Sequence, residues 1–212
     1  MPVREPQYPV NLIIDGRPCL VVGGGSVATR KVEGLLSCGG VVTVIALRTG
    51  PGIDAMEAEG RVVVERREYR PGDLAGYRLV IAATDDPEVN RSVFVDGEAR
   101  GVWVNAADEP SSCSFTLPSV VRRGPIMVTV ATGGHSPALS TWLRRHVDRE
   151  LGEEYVVLLE LLSQERTAIK AAGRSTEGLD WLSALDSNML DLIRAGDIGR
   201  ARERLQACLS SS

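Results

Sequence analysis

The stretch Leu20-Val21-Val22-Gly23-Gly24-Gly25-Ser26-Val27-Ala28 decides how this chain folds. A short apolar run passes directly into glycines, and a helical pattern then opens at Ser26 and lasts to about Ser37. Gly23, Gly25 and Ala28 form a G-x-G-x-x-A pattern between strand and helix. In that context the first glycine permits a tight turn and the second lets a pyrophosphate approach the backbone. The small third residue lets helix and strand pack closely. Phosphates would then meet the unpaired N–H groups and the positive dipole end of the helix. Gly23, Gly24 and Gly25 are therefore candidate dinucleotide-binding residues; the alternative is a purely structural glycine turn.

Outward from this motif, short β-rich runs alternate with helical stretches. Strands are expected at Cys19–Val22, Val41–Ala46, Arg61–Arg66, Leu79–Ala83 and Val102–Ala106, with helices at Ser26–Ser37, Ile53–Glu59 and Pro87–Arg100. Apolar strands separated by helices predict a parallel sheet covered on both faces, and right-handed crossovers make it a doubly wound, Rossmann-type α/β fold. After Asp108 the pattern changes. Ser114–Pro118 and Ile126–Ala131 read as two strands joined by a turn at Arg122-Arg123-Gly124-Pro125, and two strands alone require a partner. Helices are expected at Pro137–Leu151, Glu153–Ala172, Leu179–Ala195 and Ile198–Cys208, with apolar residues recurring at helical spacing. The organisation is thus a dinucleotide-binding domain over 1–112, a small α+β segment over 113–150 and a helical module over 151–212.

Composition narrows the function classes. The 212 residues are 43% hydrophobic and 25% charged with a net charge of −4, which suits a globular protein and disfavours a nucleic-acid binder. No apolar run approaches a membrane span, and Met1-Pro2-Val3-Arg4-Glu5-Pro6 lacks a signal-peptide core, so a cytoplasmic protein is expected. Cys19, Cys38, Cys113 and Cys208 are widely spaced, without a metal or disulfide pattern; Cys19 and Cys38 read as buried free thiols. His135 and His146 have no second ligand at metal-site spacing, so no metal site is expected.

Candidate chemistry collects at the carboxyl ends of the strands, where open parallel sheets bind ligands. The second strand ends Val44-Ile45-Ala46-Leu47-Arg48 without the usual ribose-binding carboxylate. Arg48 either meets a 2′-phosphate, favouring NADP, or is simply solvated. Ala82-Ala83-Thr84 would let a cofactor lie close to the backbone, while Asp85-Asp86-Pro87 makes a good helix start. Val104-Asn105-Ala106-Ala107-Asp108 puts Asp108 on the same sheet edge as the glycines, either as a general base beside a hydride acceptor or as a turn residue. In Thr132-Gly133-Gly134-His135-Ser136-Pro137, Ser136 is placed to cap a helix opening at Pro137. The loop amides could hold a substrate carboxylate, and His135 could touch substrate or metal. Arg122, Arg123, Arg144 and Arg145 could add a local positive surface for a polycarboxylate.

Taken together, these motifs resemble the precorrin-2 dehydrogenases, also found as the N-terminal half of bacterial siroheme synthase. The resemblance runs from about residue 8 to 150. It is carried by Tyr8-Pro9-Val10, Val22–Lys31, Ala82–Asp86 with Val89-Asn90, Asn105–Asp108, Ser114-Phe115 with Pro118-Ser119, and Gly133–Pro137. It implies an NAD⁺-dependent oxidation of a tetrapyrrole, precorrin-2, to sirohydrochlorin, with Asp108 as the general base. It also implies cofactor contacts at Ser26, Val27, Leu47 and Arg48, to which the end of the fourth strand adds Thr84 as a candidate; Asn105, Ser114, Gly133, Gly134, His135 and Ser136 are the candidate substrate contacts. The family binds NAD without the second-strand carboxylate. Its members are homodimers that exchange the segment after the Rossmann domain, and some also insert Fe²⁺ into the product. Thr132 stands where bacterial siroheme synthase carries a phosphorylatable serine. No methyltransferase segment follows, so synthesis of precorrin-2 is not expected. Two other readings remain: a dehydrogenase of another polycarboxylate, and a non-catalytic NAD-binding redox sensor.

Overall fold

A computed structural model describes residues 6–107 and 109–210. It resolves two compact units: the chain up to Leu117 together with Thr132–Ser136, and Pro118–Ala131 together with the chain from Pro137 onward.

The first unit is built on five parallel strands, β1 (Pro18–Val22), β2 (Val41–Ile45), β3 (Val62–Glu65), β4 (Leu79–Ala82) and β5 (Trp103–Ala106), in the order β3-β2-β1-β4-β5. This is the Rossmann-type order, with its switch point between β1 and β4. Register aligns the carboxyl ends: Val22 lies beside Ile45 on one side and Ala82 on the other, and Ala82 lies beside Ala106.

Alternation along each strand feeds two cores. Cys19, Val21, Val42, Val44 and Ile81 face a layer containing Ala28, Val32 and Leu35 of α1 (Ser26–Leu36) and Ile53 and Met56 of α2 (Pro51–Ala58). Leu20, Val22, Ile45, Val80, Val104 and Ala106 face Val93 of α3 (Pro87–Arg100) and Leu74. Both faces are therefore dry, which is why these strands read as apolar runs in the sequence.

The β3–β4 crossover is a loop rather than a helix. Leu74 anchors it in the core, and the Asp96 carboxylate of α3 binds it through polar contacts. Tyr69 Oη and the Gly72 N–H each donate to Asp96 Oδ2 at 2.8 Å, and Arg100 Nε donates to Oδ1 at 2.7 Å. Burial pushes the Asp96 carboxyl up, but these donors outweigh it and hold the group below the ordinary range.

The second unit contains an antiparallel hairpin of β6 (Ser119–Arg123) and β7 (Ile126–Val130), then α4 (Pro137–Glu150) and four further helices. These are α5 (Glu154–Ala171), α6 (Trp181–Asp186), α7 (Met189–Arg194) and α8 (Ile198–Ser210). Leu158, Leu161, Met189, Leu205 and Leu209 centre a core shared by α5 to α8. In contrast, α4 has no buried residue, and of the hairpin only Val121 is buried. Among the described residues no helix is long and apolar enough to cross a membrane.

Several expectations need correction. Ser114–Pro118 is not a strand: Cys113 makes an isolated bridge to Asn105, and the hairpin strand begins at Ser119. The Ser114 N–H is used by the Val104 carbonyl at the outer edge of β5, and Pro118 has no N–H to extend a ladder. Arg122 and Arg123 end β6, so the turn is only Gly124-Pro125, where Gly124 has φ of 49°. The expected helix Leu179–Ala195 is two helices, broken at Asn188, whose φ of 68° is left-handed and tolerated better by Asn than by most residues. The second helix begins earlier than Ile53, because Pro51 suits a first turn. Cys38 is only half-buried.

Because the Asp96 carboxyl is lowered in the fold, its contribution is fully present above the ordinary aspartate pKa of about 3.9 and is lost as pH falls through the lower folded value. Asp96→Asn should therefore reduce unfolding free energy at pH 7 by about 1–3 kcal/mol, and the difference from wild type should shrink below about pH 4. Urea melts at pH 7 and pH 3 measure this directly.

Candidate dinucleotide site

At the end of β1 the chain turns so sharply that Gly23 takes φ of 124°, a conformation costly for any other residue. A methyl group there would overlap the Ala83 carbonyl, because the exit of β4 runs directly past the turn. Ladder bonds continue into this edge: the Ala83 N–H donates to Val22 O at 2.7 Å and the Ala107 N–H to Ala82 O at 2.8 Å. Gly24 is constrained from the other side by the Arg48 backbone carbonyl, and the Gly50 N–H donates to the Gly24 carbonyl. The protein's own packing thus explains both of these glycines.

Gly25 differs. Its φ of −79° and ψ of −172° are open to any residue, and an added Cβ would meet nothing within 4 Å. It is exposed at the opening of α1, which has neither a side-chain cap nor an acidic residue in its first turn. By comparison, α3 on the same edge is capped by Asp86, which accepts from the Glu88 N–H at 2.9 Å. One helix end is closed by a carboxylate, while the other presents bare N–H groups beside a glycine without a packing reason. That is what an anion resting against the backbone requires.

Ser26 is exposed beside the turn, whereas Val27 is half-buried against the core and Ala28 fully buried. Leu47 and Arg48 are exposed beyond β2, and the Arg48 guanidinium makes no hydrogen bond or ion pair among the described residues. The nearest acid in this stretch, Asp54, is engaged by Thr49 Oγ1 and Arg66. A groove beside the motif is lined by Ser26, Thr29, Arg30 and Gly50–Gly52. A second cleft of about 930 Å³, lined by Ile13, Arg17, Leu74, Tyr77, Arg100 and Trp103, lies at the amino ends of the strands. Parallel sheets bind ligands at the opposite edge, so it is not the dinucleotide site.

The other candidates divide. Thr84 follows β4 at the edge that holds Gly23. Asn105 is buried in β5; its Nδ2 donates to the Phe115 carbonyl at 2.9 Å and lies 3.4 Å from Cys113 Sγ, so its amide holds 113–115 against the strand. The Ser114 hydroxyl donates to Glu98 at 2.9 Å and accepts from the Val104 N–H, placing it along the outer edge of β5 rather than at the glycine mouth. Asp108 lies outside the described residues. Gly133 and Gly134 turn with φ of 58° and 77°, the Thr132 hydroxyl donates to the Ser136 carbonyl, and His135 is exposed. Although its flanking elements belong to the second unit, this loop groups with the sheet unit. Arg123 is engaged by Asp148 at 2.7 Å. Burial raises the thiols of Cys19 and Cys113 above their ordinary pKa. Among the described residues no group of three or more His, Cys, Asp or Glu could hold a metal ion.

Asn90 was not among the sequence candidates. It is 6% exposed in the first turns of α3, and its amide binds Thr84. The signal was present: Asn90, Val93 and Gly97 share a buried helical face, and only one of them is polar.

A family model described as "Putative NAD(P)-binding" matches residues 10–119. A siroheme synthase of Methylobacillus flagellatus is 36% identical over 95% of this chain and 44% of its own length. One of Nitrosococcus oceani is 36% identical over 96% and 44%. The chain belongs to the siroheme synthase N-terminal and precorrin-2 dehydrogenase family. A solved structure of this family, "SirC, precorrin-2 dehydrogenase", superposes with a TM-score of 0.71 at 28% identity, covering 95% of this chain and 98% of that one. The chain spans less than half the length of these two siroheme synthases.

The contrast between two glycines is testable. Gly25→Ala should leave thermal stability unchanged or slightly raised, since alanine reduces the freedom of the unfolded chain, yet weaken NAD⁺ binding at least tenfold by calorimetry. Gly23→Ala should instead destabilise the fold by more than about 1 kcal/mol.

Proposed function

We propose that this chain oxidises precorrin-2 to sirohydrochlorin with NAD⁺ as the hydride acceptor. The observation that carries the dinucleotide half of this reading is Gly25: a glycine that packing does not require, at an uncapped helix start on the ligand-binding edge of the sheet. The substrate half rests on the likeness to SirC and to siroheme synthases. When bound, the nicotinamide ring supplies the site that accepts a hydride, two electrons with one proton, from the tetrapyrrole.

The chain's own residues do the rest. Backbone N–H groups at Gly25 and the start of α1 hold the pyrophosphate, and Leu47 and Arg48 flank the adenosine ribose. With no free carboxylate beside Leu47 and Arg48 among the described residues, the ribose diol is left to backbone groups. NAD is preferred over NADP on the family likeness, although Arg48 is the residue that would tolerate a 2′-phosphate. Asp108 takes the proton released as the hydride departs, so the substrate loses two hydrogens in all. Gly133, Gly134, His135 and Ser136 serve the substrate carboxylates through loop amides. Asn105 and Ser114 support that side of the site by fixing the 113–115 segment. The acting species is a homodimer, a reading supported by a hairpin and a helix α4 that bury almost nothing within their own unit.

Anaerobic incubation with precorrin-2 and NAD⁺, followed through NADH and sirohydrochlorin absorbance, should show turnover. Asp108→Ala should reduce it by about 10²–10⁴-fold while NAD⁺ binding persists. Fe²⁺ added to the wild-type product reports whether metal insertion accompanies dehydrogenation. A folded protein that binds NAD⁺ but turns over no precorrin-2 would overturn the assignment in favour of a sensor or a different polycarboxylate.

A further inference from the structure

Asn90 and Asn105 are two of the three polar residues buried among the described residues, and each spends its side chain on a backbone segment at or beside the site. Asn90 deals with a single residue. Its Oδ1 accepts from the Thr84 N–H at 3.1 Å, and its Nδ2 donates to the Thr84 carbonyl at 3.0 Å. The Thr84 hydroxyl lies 2.9 Å from the same Oδ1 and 2.9 Å from the Asp86 carbonyl, and accepts from the Asp86 N–H at 3.2 Å. One side chain thus supplies Thr84 with both bonds that a neighbouring strand would have supplied, at the point where β4 leaves the sheet.

The location gives this pairing its meaning. Ala83 ends the ladder with β1, and its carbonyl is what a side chain at Gly23 would strike; the Thr84 nitrogen would lie 3.1 Å from the same added atom. The β4 exit and the glycine turn therefore form the two lips of the crevice at the strand-order switch. In such a crevice the adenosine half of a dinucleotide extends over β2 and the other half over β4. Resting on the dinucleotide reading above, we infer that Asn90 is a positioning residue: by fixing Thr84 it shapes the wall that receives the nicotinamide half, without touching the adenosine half.

The test compares two probes, NAD⁺ and ADP, on wild type, Asn90→Ala and Asn90→Asp by calorimetry. ADP carries the adenosine and both phosphates but not the nicotinamide half. Asn90→Ala should weaken NAD⁺ about tenfold, the scale of leaving buried backbone groups unpaired, and leave ADP within about twofold. Asn90→Asp is isosteric and decides the matter if the alanine variant does not fold. It keeps both acceptor contacts and sets a carboxylate oxygen against the Thr84 carbonyl, so NAD⁺ affinity should fall at pH 8. Affinity should recover at acidic pH as the carboxyl gains a proton to donate, while wild type shows no such recovery. Equal weakening of NAD⁺ and ADP would overturn the proposal and make Asn90 a general stabiliser; no weakening of either would also overturn it. Failure of wild type to bind NAD⁺ would be a separate result, against the dinucleotide site itself.

Discussion

The close approach of the β1 exit to the β4 exit constrains everything at the carboxyl edge of the sheet. The two strands are paired from Cys19–Leu79 to Val22–Ala82, and the chain must then reverse into α1 without leaving the surface of β4. Only a residue without a Cβ passes Ala83 there, and only at a φ that glycine adopts freely. Once that turn is made, the axis of α1 points its amino end over the edge, and Ala28, Val32 and Leu35 seal it against the strands. The turn is thus a packing solution first; its exposed neighbour Gly25 is where packing stops supplying reasons.

Much of this was legible in the amino-acid sequence. The five strands follow from apolar runs of four or five residues, and their doubly wound arrangement from crossover handedness, whereas the strand order comes from the structure. The expected and observed bounds of α3 coincide at Pro87 and Arg100, because Asp86-Pro87 starts a helix and Gly101 ends one, with φ of 66°. Periodicity failed where tertiary partners decide. Ser114–Pro118 has the composition of a strand, yet β5 bridges only the preceding Cys113 and takes the Ser114 N–H, and Pro118 cannot extend a ladder. The Leu179–Ala195 pattern is continuous in apolar spacing, but a left-handed Asn188 divides it into two short helices that both reach the α5–α8 core.

For the site, the glycine motif was legible in position and in the separate jobs of Gly23 and Gly25, but not in the packing role of Gly24. The motif already assigns the tight turn to Gly23 and the open backbone to Gly25; the surroundings add that Gly24 is held by backbone crowding as well. Asn105 and Ser114 stand in the right part of the chain, but their polar atoms are spent on Phe115 and Glu98, partners that linear spacing does not encode. Asn90 shows the converse: a polar residue on an apolar helical face is visible in sequence, but its partner six residues back is not.

The raised thiols of Cys19 and Cys113 have a chemical consequence under the proposed hydride transfer. Oxidants and soft metals react with thiolates, and a cysteine kept protonated by burial offers little of that form near neutral pH. Cys113 lies close to the β5 exit, with its Sγ 3.2 Å from the Ala106 carbonyl, so a reactive sulfur there would be a competing electron donor beside the sheet edge. Held as a neutral thiol, it packs instead, and the edge of the sheet is left to chemistry that does not pass through sulfur.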